Sequence, residues 1–278
     1  MKNKSVSPIP NTQYLTPNPL LSLHLPDFHR VSLTLAGCGG TGSHLASGLA
    51  PLALALHERG IACDLRLVDP DLVESKNLGR QLFAHADLGR PKAAVLAHRL
   101  NAAYGLRIEA VQGKLESVET HKDALDLVIG AVDNLPARAH IEKLVVESEG
   151  KLWWLDCGNE RETGQVSLGN VPAGKLGKPQ LGLIDRLPMP SVVYPDLVKP
   201  VARAKKSKGM RSTASCADAI ASGDQSLVVN RMVAAWALSL LHDFILMRRL
   251  AVFSVAFNLR WGSSSALALD AKTLASFA

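Results

Sequence analysis

Leu33-Thr34-Leu35-Ala36-Gly37-Cys38-Gly39-Gly40-Thr41-Gly42-Ser43-His44-Leu45-Ala46 decides how the rest of this chain is read. An apolar run from Val31 to Ala36 suits a buried strand. Glycines follow at 37, 39 and 42, and a helical pattern opens through Leu45, Leu49, Leu52 and Leu56. Strand, Gly-x-Gly-x-x-Gly and helix together aim backbone N–H groups at a phosphate. Glycine is needed where a Cβ would block the tight turn or the approach of the ligand. The pattern names a nucleotide site without saying which nucleotide.

Outward from this loop, apolar runs and helical patterns alternate. Cys63–Asp69 reads as a second strand ending in an acid, and Pro91–Asn101 as a helix with Pro91 in its first turn. Leu106–Val111 is a third strand. Asp126–Asp133 is a fourth, apolar enough to lie centrally in a parallel sheet. A helix over 137–149 and a strand over 151–157 complete the alternation, which predicts a doubly wound, Rossmann-like α/β sheet with right-handed crossovers.

Past Gly158 the character changes. Thr163–Leu168 looks like a strand turned back across the sheet, and residues 171–213 are rich in Pro, Gly and Lys. Helical periodicity returns over Cys216–Ser222 and Leu227–Leu250. Val252–Trp261 and Ser265–Leu269 suggest a terminal hairpin, an antiparallel part appended to the mostly parallel sheet. The divisions expected are an extended, proline-bearing arm over 1–28, a nucleotide-binding domain over 29–170, an irregular crossover over 171–214, and C-terminal helices and a hairpin over 215–278.

Composition sets bounds. Hydrophobic residues make up 47% of the 278, ample for a core, and the formal net charge is +6. Much of the basic excess falls in Lys199–Lys208, where no aromatic interleaves to stack on a base, so a solvated loop is favoured over a nucleic-acid site. Cys38, Cys63, Cys157 and Cys216 form no Cys-x-x-Cys pair, which disfavours a zinc ribbon or a disulfide scaffold. The N-terminus shows no apolar signal region. The tract Val228–Met247 carries Asn230, Arg231, His242 and Asp243, which suits a buried helix better than a bilayer. A cytoplasmic location is expected.

The chemistry concentrates after the second strand. Asp69 is placed to accept from a ribose hydroxyl, with Asp71 two residues on. Asn77, Arg80 and Gln81 follow within a turn or two, and Arg80 offers a permanently charged fork for phosphate oxygens. Lys92 opens a helix. Asp133-Asn134 sits at the C-terminal tip of a strand, where open α/β sheets bind ligands. An Arg, a Lys and an Asp around a triphosphate are what phosphoryl chemistry requires. A nicotinamide oxidoreductase would explain the loop and Asp69, but it leaves Arg80, Lys92 and Asp133 without a task. A non-catalytic scaffold that keeps the fold is the other alternative.

Gly37-x-Gly39-Gly40-x-Gly42, Asp69-x-Asp71-x-Val73-x-x-x-Asn77-Leu78-x-Arg80-Gln81, Lys92 and Asp133-Asn134, in this order and spacing, resemble the ThiF/MoeB/ubiquitin-activating-enzyme superfamily. The resemblance covers residues 31–170 well and 215–250 more loosely. Asn258-Leu259-Arg260-Trp261-Gly262 is similar to the ThiF-type proteins of bacterial PRTRC systems. It implies binding of ATP and Mg²⁺, and adenylation of the C-terminal glycine carboxylate of a small ubiquitin-like or sulfur-carrier protein by a homodimer. By position it implies Asp69 on the ribose, Arg80 and Lys92 on the phosphates, Asp133 on magnesium, and Asn77 and Gln81 shaping the pocket. Cys216, beside the crossover and at an expected helix start, would accept the activated carboxylate.

Two departures stand out. The chain lacks the paired zinc cysteines of many relatives, and its first 29 residues hold no arginine to reach a partner's phosphate site, so that arginine is either missing or replaced by an arm residue or Arg138. Cys38, Cys63 and Cys157 read as packing residues, His44 as a helix histidine, and His242-Asp243 as a polar stripe.

Overall fold

The structure, a computed structural model, describes residues 21–199 and 227–278. Eight strands form one sheet in the order β10-β9-β7-β6-β5-β2-β3-β4. Its parallel part comprises β2 (Arg30–Ala36), β3 (Ala62–Val68), β4 (Glu109–Val111), β5 (Ala124–Gly130) and β6 (Leu152–Asn159). β7 (Thr163–Gly169), β9 (Val252–Asn258) and β10 (Ser263–Ala268) continue it antiparallel. This is the mixed, mainly parallel α/β sheet with an appended antiparallel part that the sequence predicts.

Alternating side chains of the strands feed two cores. Val31, Leu33 and Leu35 of β2 face the larger one, with Leu127 and Ile129 of β5 and Trp153 and Leu155 of β6. That face is covered by α1 (Gly40–Glu58), α2 (Lys92–Tyr104) and α5 (Val229–Leu241). Ala36, Val128, Leu152 and Trp154 face the smaller core, under α3 (Leu135–Glu147) and the short α4 (Pro190–Val193). Each central strand is buried on both faces, which is why β5 and β6 read as continuous apolar runs.

Among the described residues the expected elements are present, with shifted ends. α2 runs on past Asn101 to Tyr104 because a left-handed residue arrives only at Gly105, φ 66°. The strand expected over 106–111 shortens to Glu109–Val111, because Asn101 takes the backbone of Ile108 through Oδ1 (2.7 Å) and Nδ2 (3.2 Å) before the ladder begins. α3 starts at Leu135, two residues early, because the Asn134 side chain caps it by accepting from Ala137 N–H at 2.9 Å. Unforeseen are a parallel pair, β1 (Ser22–Leu23) with β8 (Leu183–Ile184), and a closing helix α6 (Ala271–Ala275). The expected helix over 216–222, Cys216 itself and all of the basic run beyond Lys199 lie outside the described residues.

Val229–Leu246 is long and apolar enough by composition to cross a membrane, yet half of it is buried inside this fold. Its inner face packs against α1: a Cβ at Gly48 would run into the Leu238 side chain. Phe244, in the π-helical turn His242–Leu246 that continues α5, stacks at 59° on Trp153 with ring centroids 4.7 Å apart.

Candidate active site

The chain leaves β2, visits β3 and β4 on one side, then crosses back to β5 and β6 on the other. The turns after β2 and β5 therefore diverge at the C-terminal edge of the sheet, the topological switch point where α/β sheets bind ligands. A cavity of about 750 Å³ opens there.

The glycine loop forms its floor. Gly37 has φ +94°, and a Cβ on it would lie 2.5 Å from Ala131 O, so only glycine lets β2 turn against β5. Gly42 faces back into the turn: a Cβ there would overlap Gly37 O, and the residue does not line the cavity. Its place is close packing inside the loop rather than contact with a ligand. Gly39 is the residue with open space, its nearest neighbour being Gln81 Nε2 at 3.9 Å from a built Cβ. It is also the N-cap of α1, with no side chain filling the cap, so the first N–H groups of α1 face the cavity.

Asp69 is buried and closes the β3 side. Its Oδ2 accepts from the Cys38 N–H at 2.6 Å and its Oδ1 from the Asp71 N–H at 2.8 Å. Burial pushes its carboxyl above the usual range, against the two N–H donors and Lys92, which pull it down. Lys92, the first residue of α2, has a buried side chain whose Nζ meets Asp71 Oδ2 at 2.9 Å, while Asp71 is 60% exposed. Between them the segment 72–91 is pinned: Asn77 Oδ1 accepts from Glu74 N–H at 2.8 Å, and Asp87 Oδ2 accepts from Ala84 N–H and Arg99, each at 2.8 Å. Arg80 and Gln81, both buried, line the cavity from this braced loop, and Gln81 Oε1 meets no partner among the described residues.

On the β5 side, Asp133 is exposed at the rim. Asn134, capping α3, holds its Nδ2 3.4 Å from Asp133 Oδ1. The sequence-predicted residues Gly37, Gly39, Gly40, Asp69, Asp71, Asn77, Arg80, Gln81, Lys92, Asp133 and Asn134 thus line one cavity. Arg138 does not. Its Nε donates to Asp156 Oδ1 at 3.0 Å and its Nη2 to Cys157 O at 3.5 Å beneath α3, which ties the guanidinium to β6. His44 also lies off the cavity. Burial and the nearby Arg231 hold its imidazole below the ordinary histidine range, against an Arg80 backbone contact. His242 and Asp243 form an exposed pair, 3.3 Å apart, away from the site.

Among the described cysteines none is activated. Burial pushes the Cys38 and Cys157 thiols well up, with Asp69 and Asp156 respectively adding to it, and Cys63 rises to about 12. No group of three or more His, Cys, Asp or Glu gathers among the described residues. Residues the sequence reading passed over also line the cavity: Thr41, Asn159, Asn230, Lys114 and His140. Of these only Asn230 left a signal, as a polar interruption of an apolar helix.

Comparison with known proteins finds partial relatives and a shared fold. The ubiquitin-activating enzyme E1 1 of Triticum aestivum is 34% identical over 122 residues, covering 40% of this chain and 11% of that protein. The adenylyltransferase and sulfurtransferase MOCS3 of Danio rerio is 30% identical over 149 residues, covering 52% and 30%. The chain therefore spans less than a third of the length of either relative. The solved structure of E. coli MccB with ATP superposes with a TM-score of 0.56 at 18% identity, over 86% of this chain and 63% of that one, a likeness of fold. Residues 23–254 match the ThiF family, and the chain belongs to that family.

Proposed function

We propose that this protein uses ATP to adenylate the C-terminal carboxylate of a small ubiquitin-like or sulfur-carrier protein. The observation that carries this reading is the convergence of a glycine loop, two buried cations and a rim carboxylate on one cavity of about 750 Å³. A nicotinamide cofactor would need the loop and Asp69 but not the cations. Relatives named as ubiquitin-activating enzyme and as adenylyltransferase, and a fold neighbour solved with ATP, support the same choice.

The sugar sits beside Asp69 and Asp71, and the phosphates lie over the Gly39 N-terminus of α1 within reach of Arg80 and Lys92. Asn77 and Gln81 shape the wall, and Asn134 steadies Asp133. A carboxylate oxygen attacks the α-phosphorus, the bond from that phosphorus to the bridging oxygen breaks, and pyrophosphate leaves with its charge neutralised by the two cations. Asp133 at the rim would hold a Mg²⁺ that takes one carboxylate from the protein and its other ligands from phosphates and water, and the ion would neutralise phosphate charge there. A later transfer to Cys216, a homodimeric state and a cytoplasmic setting complete the proposal, together with the N-terminal arm, the nucleotide-binding unit and the crossover as its working parts.

The test is thermal stability with ATP·Mg²⁺, with NAD⁺ and with neither, for the wild type and Asp133→Ala. ATP at about a hundred times its dissociation constant stabilises by about 2.7 kcal/mol. A shift with ATP·Mg²⁺ that shrinks in the variant is the expected result. A shift with NAD⁺ alone, or with neither, overturns the reading.

A further inference from the structure

Thr41, Asn159 and Asn230 come from three distant parts of the chain, the first turn of α1, the last residue of β6 and the start of α5, and meet at the cavity wall. Thr41 and Asn230 are buried, and Thr41 Oγ1 stands 3.1 Å from Asn230 Oδ1 and 3.5 Å from Asn159 Oδ1. We propose that this cluster is the subsite for the carboxylate to be activated, an inference that rests on the adenylation reading above.

Both asparagines turn their amide oxygen toward the same hydroxyl. A hydroxyl carries one proton and serves one of them at a time, and an amide whose oxygen faces that hydroxyl has its two N–H donors left for another acceptor. A Cβ at Gly40 would lie 2.6 Å from Asn230 Nδ2 and 3.0 Å from its Oδ1, so glycine at 40 makes room for this amide. The Asn230 amide thus packs against the first turn of α1 from the α5 side, beside the end of the helix that favours a negative ligand.

The position also separates two reactants. Asp69 and Asp71 close the cavity on the β3 side, and the loop after β2 lies in the middle. The Thr41–Asn159–Asn230 cluster stands toward β6, two strands over in the sheet. A nucleotide held by the acids and the loop leaves the β6 side for the second substrate.

The chemistry of the donors fits a nucleophile better than a leaving group. Neutral amide N–H groups orient a carboxylate while leaving electron density on the oxygen that attacks. A lysine or arginine in the same place would bind it more strongly and blunt it.

The experiment is isothermal titration of the full-length protein with three probes: ATP·Mg²⁺, 5′-O-sulfamoyladenosine, and the same compound extended by an N-acetylglycyl group on the sulfamoyl nitrogen. The last two differ only in the acyl group. In wild type the acyl extension tightens binding by about tenfold or more, the worth of hydrogen bonds to a polar acyl group. In Asn230→Ala most of that gain disappears while ATP affinity changes less than about twofold. Asn230→Asp keeps the shape and the acceptor for Thr41 but offers no NH₂, so it loses the gain too, even if the alanine variant folds poorly. An acyl gain that survives in both variants, or a loss shared equally by ATP and the acyl probe, overturns the subsite and leaves the cluster as a structural tie between α5 and the loop. A wild type that binds neither ATP nor sulfamoyladenosine instead overturns the adenylation reading, and the subsite falls with it.

Discussion

Asp69 Oδ2 accepts the backbone N–H of Cys38 over 2.6 Å, joining the end of β3 to the first turn after β2. The glycine loop is thus shaped by a carboxylate 31 positions away as well as by its own glycines. The carboxylate that closes the β3 side of the cavity thus also fixes the loop at its centre, so the two walls are linked through one residue.

Asp69→Ala leaves the Cys38 N–H buried without its acceptor and frees the Asp71 turn. The expected loss is about 2 kcal/mol in urea unfolding, the cost of stranding a buried donor. Asp69→Asn keeps one carbonyl oxygen and should lose less, because burial already disfavours the charge on this carboxyl. Equal losses for the two variants would show that the charge, not the acceptor geometry, is what matters.

Two glycines of the loop should separate folding from binding. At Gly42 a Cβ would collide with backbone at Gly37 O, which no rotamer change relieves. Gly42→Ala is expected to cost about 3 kcal/mol or more. At Gly39 a Cβ meets open space, so Gly39→Ala should shift stability by less than about 1 kcal/mol. That methyl nonetheless occupies the cavity floor on which the proposed function lays the phosphates, and on that proposal ATP affinity should fall by about tenfold or more. Melting curves with and without ATP·Mg²⁺ read both quantities at once.

The sheet and most of the site were legible because each leans on a local signal. Glycines at 37, 39 and 42 follow an apolar strand, acids follow strand ends, and Lys92 follows a helix-starting proline. Asn159 left no local pattern, and Asn230 only a polar interruption of an apolar helix that did not point to the cavity. They reach the cavity because β6 and α5 are neighbours of α1 in space, across a separation of more than a hundred residues. Nor could spacing reveal that Gly42 packs inward or that Arg138 is spent on Asp156, since both depend on the closeness of β2, β5 and β6. The short β4 follows from one side chain, Asn101, reaching the backbone ahead of the strand.

Arg138 of α3 and Asp156 form an ion pair with side chains 13% and 1% exposed, under the helix that Asn134 caps next to Asp133. Burial raises the Asp156 carboxyl, and Arg138 opposes it. Removing the arginine strands the acid, so Arg138→Ala should destabilise by about 3–5 kcal/mol. Arg138→Leu combined with Asp156→Leu should cost much less, since replacing both partners removes the buried charge along with its counter-ion. A double variant as unstable as the single one would place the cost in lost packing around α3.

His44 offers a pH signature. Its imidazole is held below the ordinary histidine range, first by burial and then by Arg231, with the Arg80 backbone contact pulling the other way. The folded state therefore binds fewer protons than the unfolded chain once pH falls below the unfolded value of about 6.5. With more protons on the unfolded state, stability rises with pH through that window and falls as acid is added. Asp87 adds to the loss at lower pH. Burial alone would raise its carboxyl, but the Ala84 N–H and Arg99 hold it below the usual range, so its stabilisation disappears only as pH drops through the carboxylate region. The two contributions separate along the pH axis. Replacing His44 with Gln should flatten the melting temperature between about pH 5 and 7 and leave the steeper fall below pH 4 in place. An unchanged slope between pH 5 and 7 would mean that His44 titrates alike in both states, and the acid sensitivity would then belong to the carboxylates alone.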